Sequence, residues 1–143
     1  MRAIGLSLVV VLFATAAHAD SRSDAIDVIA TMTAALADNN APGFLKPLDR
    51  SMPGFNALEI AIPSLLAQGE IASSVEPLRD EGDDTKRTLQ LDWYLEIRNL
   101  DETAPVVRRR EVVRCVMTKR EGRWRITSLD PTTFFEPENY THK

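Results

Sequence analysis

The chain has 143 residues, with 17 basic and 21 acidic side chains and a formal net charge of −4. This length suits a single domain built around one hydrophobic core. The acidic balance argues against a nucleic acid as a partner. Cys115 is the only cysteine, which excludes an intramolecular disulfide and a cysteine-rich metal site. Its place in the apolar run VVRCVM predicts a buried structural thiol.

The N-terminal segment has the parts of a secretory signal peptide. Arg2 precedes an apolar run from Ala3 to Phe13, and small residues follow up to Ala17-His18-Ala19. The run is too short to cross a bilayer core of about 30 Å as a helix. We therefore expect cleavage after Ala19.

This cleavage defines the expected organisation of the chain. It gives a signal peptide over 1–19, one domain over 20–137 and a tail over 138–143. So short a signal suggests a bacterial protein, exported to the periplasm or secreted. We expect no membrane association once the signal is removed.

A long amphipathic helix is predicted at the start of the domain. Apolar residues recur at three-and-four spacing over 21–38, which places them in one stripe. Ser21 or Ser23 can cap the start of this helix. The stripe consists of Ala25, Val28, Ile29, Met32, Ala35 and Leu36.

A second helix is predicted after a connection rich in proline and glycine. The connection, residues 41–54, has room for only a short helical turn. The second periodic segment starts at Phe55, and Gly69 is a natural stop. Pro63 within it predicts a kink or a break.

The second half of the chain predicts an antiparallel meander. Residues 71–78 form a strand that Pro77 assigns to a sheet edge. Residues 87–99 alternate, with Leu89, Leu91, Trp93, Leu95 and Ile97 on one face. Residues 106–120 suit another long strand, and a turn at Glu121-Gly122 leads into the last one. Helices followed by strands predict an α+β domain.

Three segments within this order resemble a known fold. They are DWYLEI at 92–97, the basic strand start RRREVV at 108–113, and GRWRITSLDPTTFF at 122–135. With them, the chain from Ser21 to about Pro137 resembles the nuclear transport factor 2-like superfamily, which has a cystatin-like fold. The resemblance implies N-terminal helices packed in the concave face of a strongly curved, mainly antiparallel sheet, shaped as a cone.

The resemblance implies a fold rather than a reaction, because the superfamily includes isomerases, dehydratases, cyclases, epoxide hydrolases and domains that only bind or assemble. Its ketosteroid isomerase branch needs a cavity base and a tyrosine beside a protonated acid. The helix over 21–38 has no tyrosine, and Asp24, Asp27 and Asp38 fall away from its apolar stripe. That mechanism is therefore not carried over.

Two charged residues are expected on the concave side. Alternation puts Arg109 and Glu111 on the face of Val113, Cys115 and Met117. A charge on an apolar concave face is costly unless it is paired or near water. Either the two residues pair across the rim, or Arg109 meets an anionic ligand.

Four apolar residues complete the predicted pocket. Trp93, Leu95 and Trp124 face the helices, where they form core or pocket wall. Phe134 and its neighbour Phe135 are expected to fold back over the rim.

Acidic residues on the opposite face have a structural interpretation. Asp92 and Glu96 flank Tyr94, an arrangement that could serve acid–base chemistry. The next strand offers Arg110 and Arg114 as cross-strand partners, so we expect surface ion pairs.

Several chemistries lack residues to support them. After signal removal the only histidine is His142, so no catalytic triad and no histidine-based metal site is expected. No cofactor is expected, and the chain has no glycine-rich phosphate loop.

Three functions remain open. The first is non-enzymatic binding of a small apolar or anionic ligand in the cone. The second is an interaction module that forms a homodimer through the outer sheet face. The third is a carboxylate-dependent enzyme, which the lack of histidine disfavours without excluding it.

Overall fold

A computed structural model describes residues 13–138, with side chains from Ser21 onward. The predicted signal peptide up to residue 12, and the tail from 139 with His142, lie outside the described residues. The elements are α1 (Phe13–Ala37), α2 (Ala41–Leu45), α3 (Phe55–Ala67), β1 (Gly69–Gly82), β2 (Lys86–Asn99), β3 (Val107–Arg120), β4 (Arg123–Asp130) and a 3-10 turn (Thr132–Phe135).

The four strands form one curved antiparallel sheet in the order β1-β2-β3-β4. This confirms the predicted meander and the α+β class. Register shifts occur between Pro77 and Arg79 and beside Val116 and Met117, and such bulges bend the strands that carry them. Two of the helices pack on the concave face through a continuous core. The inward residues Leu91, Trp93, Leu95, Cys115, Trp124 and Ile126 are all buried, as expected.

Helix α1 carries the predicted apolar stripe but starts earlier than expected. Ala25, Ile29 and Met32 are buried against the sheet. The helix begins at Phe13, so Ser21 and Ser23 lie within it and do not cap it. Alanine-rich sequence before Ser21 favours continued helix. Ser21 is instead buried, with its Oγ 3.5 Å from the carbonyl oxygen of Asp83.

The second helix is unbroken, so of the kink or break expected at Pro63 the break does not occur. Pro63 is exposed and lies inside α3. A proline deprives the carbonyl four residues before it of a donor, and here that carbonyl belongs to the exposed Glu59. Because water can satisfy this group, the helix continues to Ala67.

The strands match the predicted edges and turns. β1 is an edge strand, as Pro77 indicated, although it is longer than expected. The hairpin between β3 and β4 turns at Glu121 and Gly122, with φ of 52° and 77°. These left-handed angles suit a two-residue hairpin, and glycine adopts them without steric cost.

A short backbone pairing covers the far edge of β4. The amide of Ile126 donates to the carbonyl of Pro47 at 2.9 Å, and the amide of Asp49 donates to the carbonyl of Ile126 at 2.8 Å. Leu48 thereby forms a parallel bridge with Ile126. This pairing fixes residues 46–49 beside the β3–β4 hairpin.

Candidate functional site

The concave interior is filled by an aromatic cluster. Phe135 lies 5.0 Å from Trp93 and 5.2 Å from Phe44, measured between ring centroids. All three residues are fully buried, and Phe134 packs edge-on against Phe135 at 5.1 Å. Leu95 is also fully buried. Trp93, Leu95 and Phe134, predicted as pocket residues, are therefore part of the packed core.

Two polar side chains that reach this interior, Trp93 and Arg87, have fixed hydrogen-bond partners. The indole Nε1 of Trp93 donates to Ser73 Oγ at 2.9 Å. Arg87 is 2% exposed, and its Nε donates to Asp80 Oδ1 at 2.8 Å while Nη1 donates to the carbonyl of Asp83. The sequence interpretation missed Arg87, although it precedes Leu89 by two residues and so shares its face. A buried guanidinium needs such a carboxylate to offset its desolvation.

Cys115 is a buried thiol, as predicted. It is fully inaccessible, and burial raises its pKa to about 12. Because the thiolate is the reactive form, this side chain is inert at neutral pH and contributes packing.

The interior is closed by a segment that we name the C-terminal strap, residues 132–138. Nη1 of Arg109 donates to the carbonyls of Phe134 and Glu136, and Nη2 contacts Glu138 Oε2 at 3.0 Å. Gln68 holds the same end, since Nε2 donates to the Glu138 carbonyl and Oε1 accepts from the Glu138 amide. Glu138 thus belongs to the folded unit rather than to the predicted tail.

The expected pairing of Arg109 with Glu111 is wrong. In the described residues Arg109 bonds to the strap, and Glu111 is exposed. Glu111 lies opposite Trp93 in the strand register, so its predicted face is correct. The strap supplies carbonyl and carboxylate acceptors to Arg109, which removes its need for Glu111.

The outer sheet face carries ion pairs, with one partner different from the prediction. Arg110 Nε donates to Asp92 Oδ1 at 2.9 Å, which holds the pKa of Asp92 below its ordinary value. Glu96 accepts from Tyr94 and contacts Arg108 at 3.7 Å. Arg114 was the expected second partner, but the register sets Glu96 opposite Arg108.

An open depression, which we name the hairpin groove, lies between residues 42–50 and the β3–β4 hairpin. Its volume is about 1360 Å³. One turn of α1 and the first turn of α3 complete its walls. Apolar lining comes from Val28, Leu45, Leu48, Phe55 and Trp124. Charged lining comes from Lys46, Asp49, Arg50, Glu59, Arg120, Glu121, Arg123 and Arg125.

Two contacts fix the walls of the hairpin groove. Arg120 Nη1 bonds to Asp49 Oδ2 at 2.7 Å, and Arg125 Nη1 donates to the carbonyl of Lys46 at 2.8 Å. The pKa of Asp49 is lowered, first because the hydroxyl and amide of Ser51 donate to it and then because Arg120 is close. Asp49 is therefore an anion that Arg120 neutralises.

Trp124 is a wall residue whose polar atom is unsatisfied. Its side chain is 7% exposed, and the ammonium of Lys119 lies 5.9 Å from its ring centroid. Its Nε1 is buried and has no acceptor within residues 13–138. Buried indole N–H groups normally find a partner. Of the predicted pocket residues, Trp124 alone lines the hairpin groove.

A second, smaller depression of about 320 Å³ runs between α1 and the edge strand β1. It is lined by Ile26, Ile29, Ala34 and Val75, among others. Its lining has no charged side chain, and its two hydroxyls are already bonded, Thr33 to the carbonyl of Ile29 and Ser73 to the indole of Trp93.

The described part of the chain has neither a cluster of metal ligands nor a helix that could span a membrane. No group of three or more histidine, cysteine, aspartate or glutamate side chains there could hold a metal ion. No helix within residues 13–138 is long and apolar enough to cross a membrane.

Solved structures share this architecture. A nuclear transport factor 2-like protein with a cystatin-like fold from Novosphingobium aromaticivorans aligns with a TM-score of 0.67 at 13% identity, covering 87% of this chain and 89% of that one. The chain has the nuclear transport factor 2-like fold. No family model matches its sequence, and no curated protein matches it.

Other structures with the nuclear transport factor 2-like fold have different descriptions. The hexachlorocyclohexane dehydrochlorinase LinA-type3 of Novosphingobium barchaimii has a TM-score of 0.67 at 12% identity, covering 80% of this chain and 87% of its own. A conserved protein of Planctomyces limnophilus has a TM-score of 0.65 at 10% identity, covering 78% and 93%. Such low identities show the fold alone, so activity must be argued from the site.

Proposed function

We propose that this domain binds a small, partly apolar molecule without catalysing a reaction, and that the hairpin groove is its site. The observation that carries the proposal is the contrast between a filled interior and an open groove. Trp93, Phe44 and Phe135 are fully buried in the interior. The groove offers about 1360 Å³ between apolar and charged side chains.

Binding is favoured over catalysis by the way the interior polar groups are used. Arg87 is bonded to Asp80, and the indole of Trp93 is bonded to Ser73. Cys115 remains protonated because burial raises its pKa. Proton transfer requires a group that can reach substrate with a pKa near the working pH. These interior side chains do not supply such a group.

The proposal differs from the sequence expectation in its location. Trp93 and Leu95 were expected to wall the pocket, but a ligand beside them would have to displace Phe135. Trp124 is retained as a site residue. The groove also lies on the α1 side of the β3–β4 hairpin, where a ligand can enter from solvent without moving the strap.

A pair of bulky substitutions on α1 tests this location. Thr31 is exposed and lines the hairpin groove, whereas Ala34 is exposed and lines the smaller depression beside β1. Calorimetric titration with octanoate and octanol is expected to show binding to the parent protein. Thr31→Trp should reduce the affinity about tenfold or more by filling the groove, because a new ring occupies the ligand's volume.

The matched control is Ala34→Trp, which should leave the affinity unchanged. Loss of binding in Ala34→Trp alone would assign the site to the smaller depression beside β1. An affinity equal to that of the parent protein in both variants would place the ligand outside both depressions. An enzyme would instead turn over a substrate that Glu111→Gln no longer converts. A dimer mass without any ligand binding would favour an interaction module.

A further inference from the structure

Strand β3 has an unpaired half, residues 107–113, which we name the β3 half-edge. Strand β4 pairs with β3 only from Arg114 to Arg120, and it ends at Asp130, opposite Arg114. Within the described chain, the backbone hydrogen bonds of residues 107–113 go only to β2. In an antiparallel pair, alternate residues turn their N–H and C=O groups away from the neighbouring strand. The half-edge therefore presents unpaired backbone groups, which are a template for another strand.

The β3 half-edge is more open to pairing than the other edges of the sheet. The side chains of Arg108 and Arg110 are 63% and 70% exposed, and Val112 beside them is 50% exposed. The edge of β4 is covered by the bridge at Leu48. The edge of β1 is interrupted by Pro77 and a register shift, and both features oppose pairing with another chain. Residues 107–113 have neither feature.

All but one of the charges on the half-edge are paired within the chain. The charged side chains are Arg108, Arg109, Arg110 and Glu111. The three arginines contact Glu96, Glu138 and Asp92, respectively. The exception is Glu111, which is exposed and has no ion pair or side-chain hydrogen bond within residues 13–138.

A second copy of the chain supplies a partner for Glu111. If two half-edges pair antiparallel about a two-fold axis at Arg110, each Glu111 lies opposite Arg109 of the other copy, on the concave face. The strap takes three hydrogen bonds from Arg109, and a guanidinium has five N–H donors. Two donors therefore remain for the incoming carboxylate.

The outer face of the same register is also compatible with pairing. Val112 lies opposite Arg108 of the other copy, whose aliphatic stem can cover the exposed valine. Arg110 faces its own copy on the axis, and Asp92 neutralises each of these two guanidinium groups. Other registers are less favourable, because an axis at Glu111 would place two unpaired carboxylates opposite each other.

We propose that two copies of this chain associate by antiparallel pairing of their β3 half-edges, with the two-fold axis at Arg110 and ion pairs between Arg109 and Glu111. Two four-stranded sheets thereby become one continuous sheet. This interface differs from the outer-face dimer expected from the sequence, and it does not depend on a ligand in the hairpin groove. Because the paired segment is short, we expect a reversible association.

The first test measures the mass of the full chain by sedimentation equilibrium over a wide range of protein concentration. The parent protein should dimerise reversibly. Glu111→Lys should weaken the dimer about tenfold, because symmetry turns two attractive cross-strand pairs into repulsive ones. Glu70→Lys is the matched control, with the same charge change at an exposed position on the edge of β1, and should leave the dimer unchanged.

Two opposite substitutions at Val112 test the register. Val112→Glu should strengthen the dimer, because each new carboxylate faces Arg108 of the other copy. Val112→Lys should weaken it, because like charges then face each other. An apolar contact at Val112 without this register would be weakened by both substitutions, and that result would overturn the register.

A disulfide tests the position of the axis. Residues directly opposite each other in an antiparallel pair have Cα atoms about 4.5–5.5 Å apart, a distance that a disulfide can bridge. Oxidised Arg110→Cys should therefore form a covalent dimer. Ser74→Cys, at an exposed position of β1, is the control and should not. The native Cys115 is buried and does not compete.

Three results would contradict the proposed interface. A parent chain that stays monomeric at every concentration would overturn it outright. A dimer weakened by Glu70→Lys and not by Glu111→Lys would assign association to the edge of β1. Equal cross-linking of both cysteine variants would show that Arg110 does not lie on the axis.

Discussion

The two tryptophans show how one residue type serves two regions of this molecule. Trp93 is fully buried, its indole donates to Ser73, and its ring packs between Phe44 and Phe135. Trp124 is 7% exposed, and its indole has no acceptor in the described chain. An amphipathic ring whose polar atom is bonded internally completes a core, whereas the ring of Trp124 has its polar atom unpaired at the margin of the core.

The same contrast holds for the arginines beside them. Arg109, near the interior, is bonded to two carbonyls and a carboxylate of the C-terminal strap. Arg123, beside the groove, has no partner in residues 13–138. A guanidinium with several fixed acceptors stabilises the fold, and a solvated one is available to a ligand. The closed interior is therefore a structural region, and the hairpin groove is the open region in which we propose that a ligand binds.

The largest effect is expected from opening the interior. Phe135→Ala removes the ring that contacts Phe44 and Trp93 and leaves a cavity. Such a truncation should lower the free energy of unfolding by about 3–5 kcal/mol. Urea denaturation measures this loss. Thr133→Ala, at an exposed position of the same turn, should change stability little. An unaltered midpoint in Phe135→Ala would show that the strap does not complete the core.

A smaller effect is expected from releasing the strap without touching the aromatic cluster. Arg109→Met retains the apolar stem but removes the donors to Phe134, Glu136 and Glu138. We expect a loss of about 1–3 kcal/mol in urea denaturation, because polar groups near the interior lose a charged partner.

Arg108→Met is the control for that variant. Arg108 is 63% exposed and only approaches Glu96 at 3.7 Å, so its loss should cost about 0–1 kcal/mol. Equal effects of the two substitutions would show that the strap is not held by Arg109.

Sequence patterns predicted the closed interior better than the groove. The alternation from Leu89 to Ile97 fixes which side chains face inward, because a strand has a period of two. The same alternation reaches back to Arg87, so this buried charge could have been found from its parity. The partner of Arg109 could not be found from such alternation, because Glu138 lies 29 residues away and contacts Arg109 only when the strap folds back.

The periodicity of the sequence could not predict the hairpin groove, for a different reason. Its walls depend on the bridge between Leu48 and Ile126, which joins an irregular segment to the last strand. A proline-rich connection has no repeating pattern from which such a pairing could be predicted. The sequence therefore predicted Trp124 as a pocket residue of the interior, whereas the structure places it in the wall of the hairpin groove.

The smallest effect is expected at the contact that fixes the groove wall. Ser51 and Arg120 lower the pKa of Asp49 below its ordinary value of 3.8. A lowered pKa stabilises the folded state at any pH above the ordinary value, and this contribution is lost as the pH falls through the folded-state pKa. Asp49→Asn should therefore lower Tm slightly at pH 7 and make Tm decrease less steeply below about pH 4.

Asp38→Asn is the control, at an exposed position after α1, and should leave the decrease in Tm at low pH unchanged. If Asp49→Asn melts in parallel with the parent protein across this range, the contacts of Asp49 with Ser51 and Arg120 do not hold the groove wall in solution.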